Sequence, residues 1–289
     1  MELNIKIVGF GEGGAHAVNK MSADGIGGGR NVEFICVGAD ENILLVSGTR
    51  KNLFINRDAE TLHKNFSEAL AGAKLIFIVG GLGSGVARIA LPLLIDCAKN
   101  IEATTVAFVC SPSVLENYLR KANAEFNLQN LRGRVDTLFV LPAEKFFLFR
   151  IKQTEISLAE IFDVADEIFC RGVKIFLDML GEDEASLPLC RWGEASFGYG
   201  TGKTALEAVK AAANFHTFNA ADIGRAAGIF VSIIGKKNLK LAAVEAANDF
   251  IRRQMKPDAE FFAREDVDAT LGKEIFAAII LTRPTDNAG

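Results

Sequence analysis

Apolar residues run almost unbroken through LNIKIVG (3–9), VEFICVGAD (32–40), KLIFIVG (74–80), TTVAFVCSP (104–112) and VDTLFVLPA (135–143). Runs this short and this uniformly apolar predict strands buried on both faces. KNLFIN (51–56) reads as a further short strand. Between these runs polar positions return with helical period: over 14–21, over 59–72 with Gly72 as its stop, in LPLLIDCAKN, and over 114–132. Strands alternating with helices in this way predict an α/β fold with a mostly parallel sheet covered on both faces.

After Lys152 the pattern changes. One long amphipathic helix is predicted over 156–180, followed by the acidic stretch GEDEAS and a short glycine-rich segment from Trp192 to Gly202 that does not read as a strand. Then come a helix over 204–216, a strand over 228–235, a helix over 241–254, a short strand near 259–264 and a strand over 273–282. The alternation is less regular here and predicts a second, smaller α/β unit, with the long helix as a spine between the two.

The chain has 289 residues, 49% hydrophobic and 24% charged, which describes a globular protein and excludes a disordered one. Its apolar runs, such as that around Ile279, are too short to cross a bilayer, and MELNIKIVGF lacks the basic segment of a signal peptide. A cytoplasmic protein with no direct membrane insertion is expected. The net charge of −4 and the lack of a long basic run argue against a nucleic-acid partner. The five cysteines Cys36, Cys97, Cys110, Cys170 and Cys190 are odd in number and form no CxxC pair. They read as reduced, buried thiols and not as a metal site.

Three glycine-rich stretches carry candidate chemistry. In VGFGEGGAHAV, Gly9, Gly11 and Gly14 match G-x-G-x-x-G between a strand and a helix, where backbone can approach a phosphate and the helix dipole favours its charge. A nicotinamide-binding fold would want an acid ending the second strand about 20 residues on, and Asp40 comes late for that role. IFIVGGLGSGVARIA (76–90) repeats the strand–loop–helix pattern, with Arg88 where a small polar residue is expected. GYGTGKT (198–204) is like the tail of a P-loop, but Phe197 stands where that motif needs its first glycine. It reads as a turn into the helix beginning near Thr204.

IKIVGFGEGGAHAVNKM, VEFICVGADENILLVS, the glycine loop at 80–85, VDTLFVLP and LAEIFDVADEIFCRGV resemble the FtsZ/tubulin superfamily in order and spacing, and FtsZ most of all. The resemblance runs from residue 4 to residue 282 and includes EIFAAIILT. It implies the FtsZ/tubulin fold: a Rossmann-like, parallel-sheet GTPase domain (1–152), a long central helix (153–181) and a smaller α/β C-terminal domain (182–289).

The resemblance also implies a nucleotide site. Gly11, Gly13 and Gly14 keep much of the first phosphate loop, while Glu12 stands where FtsZ has glycine and His16 where it has asparagine. A carboxylate beside a phosphate repels it unless it faces away or recruits a metal. His16 reads equally as a substitute hydrogen-bonding group and as an ordinary residue of the first helical turn. Of the second loop only Asp40 is kept. The family's signature GGGTGTG, aligned without gaps, falls on residues 83–89 and loses both threonines; alternatively GGLGSG is a shortened loop followed by a longer helix. Both alignments leave Gly83, Ser84 and Gly85 in the loop, and Arg88 either adds positive charge there or lies on a solvated face. Glu116 and Arg120 align with the family's ribose-contacting glutamate and phosphate-side arginine. Phe162 and Asp166 align with the aromatic that packs on guanine and the side chain that reads its edge. They are four apart, on one helix face, and a carboxylate can accept from guanine N1 and N2, donors that adenine lacks. Ala143 replaces an asparagine near the ribose.

Two family elements are reduced. The long glycine-rich loop that senses the γ-phosphate shrinks to Arg57 and Asp58, and the loop that positions the attacking water across a filament contact is replaced by GEDEAS. There Glu184 falls nearest the family's second aspartate and is the candidate catalytic carboxylate; an exposed acidic turn is the competing reading. The tail by which FtsZ recruits its membrane-anchoring partners is not expected. The resemblance thus implies a cell-division or cytoskeletal protein that binds GTP or GDP with weak or absent hydrolysis, acting through self-association or with an FtsZ-family partner, with Mg2+ left open. A nucleotide-free pseudo-GTPase scaffold and an active, polymerising GTPase are the alternatives. A nicotinamide-dependent enzyme explains neither the long helix nor the second domain.

Overall fold

The apolar runs of the first half become β1 (Asn4–Phe10), β2 (Asn31–Gly38), β3 (Lys51–Phe54), β4 (Leu75–Gly81), β5 (Thr104–Ser111) and β6 (Thr137–Pro142). All pair in parallel, in the order β3-β2-β1-β4-β5-β6. The computed structural model describes residues 3–39, 51–55, 58–114, 116–144, 158–180, 187, 190–215, 220–236, 239–268, 272 and 274–283. By packing, the chain divides into one unit over Met1–Arg191 and another over Trp192–Gly289.

In the first unit the helices are α1 (Gly11–Ala23), α2 (Ala59–Leu70), α3 (Gly85–Asn100), α4 (Tyr118–Leu131) and α5 (Leu158–Leu180). The chain leaves β1 in one direction, to β2, and leaves β4 in the other, to β5. Right-handed crossovers taken in opposite directions put their helices on opposite faces. Accordingly α1 and α5 pack on each other, while α2, α3 and α4 share a core with Ile76, Ile78, Ala107 and Val109 of the sheet. Aromatic rings organise the α5 side. Phe108 stacks on Phe139 at 4.3 Å, and Phe176 of α5 meets Phe77 edge-on at 5.6 Å.

Three helix starts differ from the sequence reading. Helix α1 begins at Gly11, directly after β1, so Gly11, Gly13 and Gly14 lie in its first turn and not in a loop. Helix α3 begins at Gly85, ahead of LPLLIDCAKN, because the Ser84 hydroxyl accepts from Val86 N at 3.2 Å and caps it; Pro92 then lies inside the helix. Helix α4 begins at Tyr118, since the Asn117 side chain accepts from Arg120 N at 3.0 Å.

The second unit contains β7 (Gly193–Gly202), α6 (Ala205–Ala213), α7 (Ala220–Ile223), β8 (Gly228–Gly235), α8 (Leu241–Arg252), β9 (Glu260–Val267) and β10 (Ile275–Thr282). Its strand order is β7-β10-β8-β9, with β10 antiparallel to both neighbours. Strand β7 corrects the sequence reading. Its glycines hide a strand signal, and pairing along β10 supplies what local propensity lacks. The glycines serve helix packing: a Cβ on Gly200 would lie 2.5 Å from Ala211 Cβ, and one on Gly202 2.5 Å from Ala208 N. The turn into α6 is as expected at Thr204. Its hydroxyl accepts from Glu207 N at 3.2 Å while the Glu207 carboxylate accepts from Lys203 N at 2.9 Å. GYGTGKT is thus strand end and helix cap, with Glu207 reaching back one residue beyond the N-cap.

All five cysteines are free; four are buried and Cys110 is half-buried, with its thiol still withdrawn from water. Burial pushes the thiols of Cys110, Cys170 and Cys190 up to about 12. Among the described residues no helix is long and apolar enough to cross a membrane.

Substituting Gly200→Ala should cost about 1–3 kcal/mol, by forcing α6 off β7, and lower the urea midpoint accordingly. Native protein near neutral pH should leave Cys110, Cys170 and Cys190 unmodified by a disulfide reagent that titrates all five cysteines after denaturation. The ordinary thiol value is 9.0 and the folded one about 12, so the unfolded chain releases these protons first. The stability these groups contribute is therefore full below pH 9.0 and is lost as pH rises towards about 12, visible as a falling melting temperature.

Candidate functional site

Strands β1 and β4 are parallel neighbours in register, Phe10 beside Gly80, and strand order reverses between them. Such a reversal opens a crevice at the carboxyl ends of the strands. Both glycine loops lie there, each running into a helix: β1 into α1 at Gly11, β4 into α3 at Gly85. Two helix N-termini, each with unpaired N–H groups and a positive dipole end, therefore converge on one crevice. The approach is close. Gly11 has a φ of +66°, and a Cβ there would lie 2.7 Å from Ser84 Oγ. A Cβ on Gly14 would lie 2.5 Å from Val79 O, so bare backbone is what lets α1 descend onto β4. Gly13 faces open space.

From the loop after β4 the site continues to α4. Ser84 is occupied as the cap of α3, and Gly85 is that helix's first residue and not part of the loop. Arg120 covers Gly83: a Cβ on that glycine would lie 3.2 Å from Arg120 Cβ and 3.3 Å from its Nε. Arg120 forms an ion pair with Glu116, one turn earlier, and Glu116 also accepts from Ser113 N at 3.1 Å. Beneath them Asn127, fully buried, donates through Nδ2 to Leu82 O at 2.7 Å and more weakly to Ser84 O at 3.5 Å. The sequence reading missed Asn127. The one signal was spacing, since Arg120, Ala124 and Asn127 share a helix face. Beside the Glu116–Arg120 pair, Val114, Tyr118 and Leu119 are 63%, 86% and 68% exposed.

The remaining candidates divide. Asp166 on α5 is buried. Helix α5 runs in the same sense as α1: Cys170 Sγ reaches Ala17 O at 3.9 Å, and Arg30 Nη2 donates to Leu177 O at 3.0 Å. Asp166, one turn before Cys170, therefore lies towards the Gly11 end of α1. Glu12 and His16 are exposed on the first turns of α1. The Arg88 guanidinium sits 4.2 Å over the Phe126 ring of α4. Asp58 caps α2, accepting from Glu60 N at 3.1 Å and from the Thr61 hydroxyl; that second bond chiefly holds its carboxyl below the usual range. Asp40, Glu184 and the side chain of Phe162 lie outside the described residues.

A separate cavity of about 890 Å³ lies at the other end of α1 and holds none of the candidate residues. Its acids are paired: Asp24 with Lys20 at 3.1 Å, Glu167 with Arg171 at 3.1 Å and Asp178 with Lys174 at 2.8 Å.

Residues 48–149 match the Tubulin/FtsZ family, GTPase domain. Over 98% of its length the chain is 28% identical to cell division protein FtsZ 1 of Thermococcus kodakarensis, covering 81% of that protein. Among solved structures it is similar to an empty FtsZ dimer of M. jannaschii, with a TM-score of 0.82, 25% identity, and 98% and 88% of the two chains covered. It is also similar in fold to a GTPγS-bound CetZ2 protofilament of Haloferax volcanii, with a TM-score of 0.80, 16% identity, and 97% and 93% covered.

Gly11 and Gly13, both in the first turn of α1, should separate under substitution. Gly11→Ala combines positive φ with the contact to Ser84 and should lower the stability of the fold by about 1–3 kcal/mol. Gly13→Ala, in open space within a helix, should be neutral or stabilising by up to about 1 kcal/mol. Denaturant titration of both variants compares them directly.

Proposed function

We propose that the chain is a divergent FtsZ-like member of the FtsZ/tubulin superfamily whose β1/β4 crevice binds GDP or GTP and hydrolyses GTP poorly or not at all. The observation that carries this reading is the convergence of two helix N-termini, with Gly11 against Ser84, at the strand-order reversal. Backbone N–H groups of Gly11–Gly14 and of the loop at Gly83 would hold the phosphates, and Arg120 would add positive charge at that loop. Glu116, which pairs with Arg120, would contact the sugar. Asp166 would accept from guanine N1 and N2, with Phe162 packing on the base. Mg2+, where it takes part, would arrive on the phosphates.

Weak hydrolysis follows from what the catalytic side has lost. Phosphoryl transfer depends on positioning and on charge stabilisation. Asp58, the described remnant of the shortened γ-phosphate loop, is engaged as a helix cap. Glu184 stays the candidate catalytic carboxylate. A cytoplasmic, cytoskeletal or cell-division role through self-association fits relatives described as a dimer and as a protofilament. The exposed Val114, Tyr118 and Leu119 beside the crevice supply an apolar rim for such contacts.

Titration of the purified protein with GDP, GTP, ATP and NAD should show guanine nucleotides binding in preference to ATP and NAD. No guanine binding at millimolar concentration would favour the nucleotide-free scaffold. Asp166→Ala should weaken GDP by roughly 10- to 100-fold, the worth of charged hydrogen bonds, and narrow its margin over ADP. Phosphate release should stay near background as protein concentration rises; release that climbs with concentration, together with pelleting, would identify an active polymerising GTPase.

A further inference from the structure

We propose that Asn127 is a positioning residue, which turns the amide of Gly83 outward to meet a phosphate. The inference rests on the nucleotide-binding reading above and names a residue outside it. Both partners of the Asn127 amide are carbonyl oxygens, at Leu82 and Ser84, so the group facing the loop acts as a donor. There are no cis peptides among the described residues, and in a trans peptide the C=O and the following N–H point in opposite directions. Drawing Leu82 O inward onto Asn127 at 2.7 Å therefore directs Gly83 N–H away from α4's interior. The weaker contact at Ser84 O acts in the same sense on Gly85 N–H. The alternate amides in the loop are already used within the fold: Leu82 N donates to Cys110 O at 2.8 Å and Ser84 N to Gly81 O at 3.2 Å. The loop thus divides its N–H groups between internal bonds and outward presentation.

The cost of this arrangement is visible. Asn127 is fully buried, and its Oδ1 has no hydrogen-bond partner among the described residues. A leucine would fill the space without the orphaned Oδ1, but it would leave the Leu82 carbonyl without its donor. The amide is thus explained by its donor, which orients the loop, and not by packing.

Asn127→Leu tests this. It keeps the branched heavy-atom shape and removes both the donor and the unpartnered oxygen, but it leaves the Leu82 carbonyl without this partner and adds volume, so the melting temperature should fall modestly. GDP binding should weaken about tenfold or more while guanosine binding, which has no phosphate to meet the loop, stays within about twofold. Asn127→Ser, which keeps a donor, should retain part of the GDP affinity and serves as the second variant should the leucine fold poorly. Equal losses for GDP and guanosine, or unchanged GDP affinity, would overturn the role of Asn127 alone. Wild-type protein that fails to bind GDP would overturn the nucleotide reading, and this inference with it.

Discussion

The parallel pairing of β1 with β4 is the constraint on which the rest of the first unit depends. It joins two strands whose helices leave in opposite directions, and so opens the crevice between them. The pairing brings Gly11 against Ser84 and Gly14 against Val79 O, contacts that only bare backbone on the α1 side permits. A side chain at either glycine would push the two helix starts apart, and the convergent dipoles would be lost. The glycines of the first loop are thus as much a packing requirement of the fold as a chemical feature of the site.

The two halves of the proposed nucleotide site are held by different means. The phosphate side is a backbone structure stabilised by side chains: Ser84 caps α3, Arg120 covers Gly83, and Asn127 holds the carbonyl of Leu82. The base side rests on one buried carboxylate, Asp166, with Phe162 proposed beside it, on a helix seated by Phe176 against Phe77 and by the Cys170 thiol donating to Ala17 O. The first half tolerates sequence change provided the caps and glycines survive, since N–H groups come from any residue. The second depends on the identity of one side chain.

The sequence was most legible where structure follows local rules. Uniformly apolar runs became buried parallel strands, and the long helical period became α5. The turn read near Thr204 became the capped start of α6. It was least legible where a tertiary partner overrides propensity. GEASFGYGTG carries four glycines and no strand signal, yet pairs along the whole of β10. Likewise Ser84 and Asn117 decide where α3 and α4 begin, and Arg88, which reads either as a loop cation or as a solvated residue, is exposed and lies over Phe126. Asn127 was invisible because its role depends on carbonyls more than forty residues away.

Composition, periodicity and glycine spacing determined by themselves an α/β chain with a parallel sheet, a long helix and a second unit. They also pointed to the loops after β1 and β4, because those signals are local, whereas Glu116, Arg120 and Asp166 came forward only through the resemblance to the FtsZ/tubulin superfamily. Only the tertiary structure decided that the two loops meet, that Arg120 covers Gly83, and that α5 runs alongside α1 in the same sense with Asp166 towards its glycine end. Those relations join residues distant in sequence through strand order and side-chain packing, and no local pattern records them.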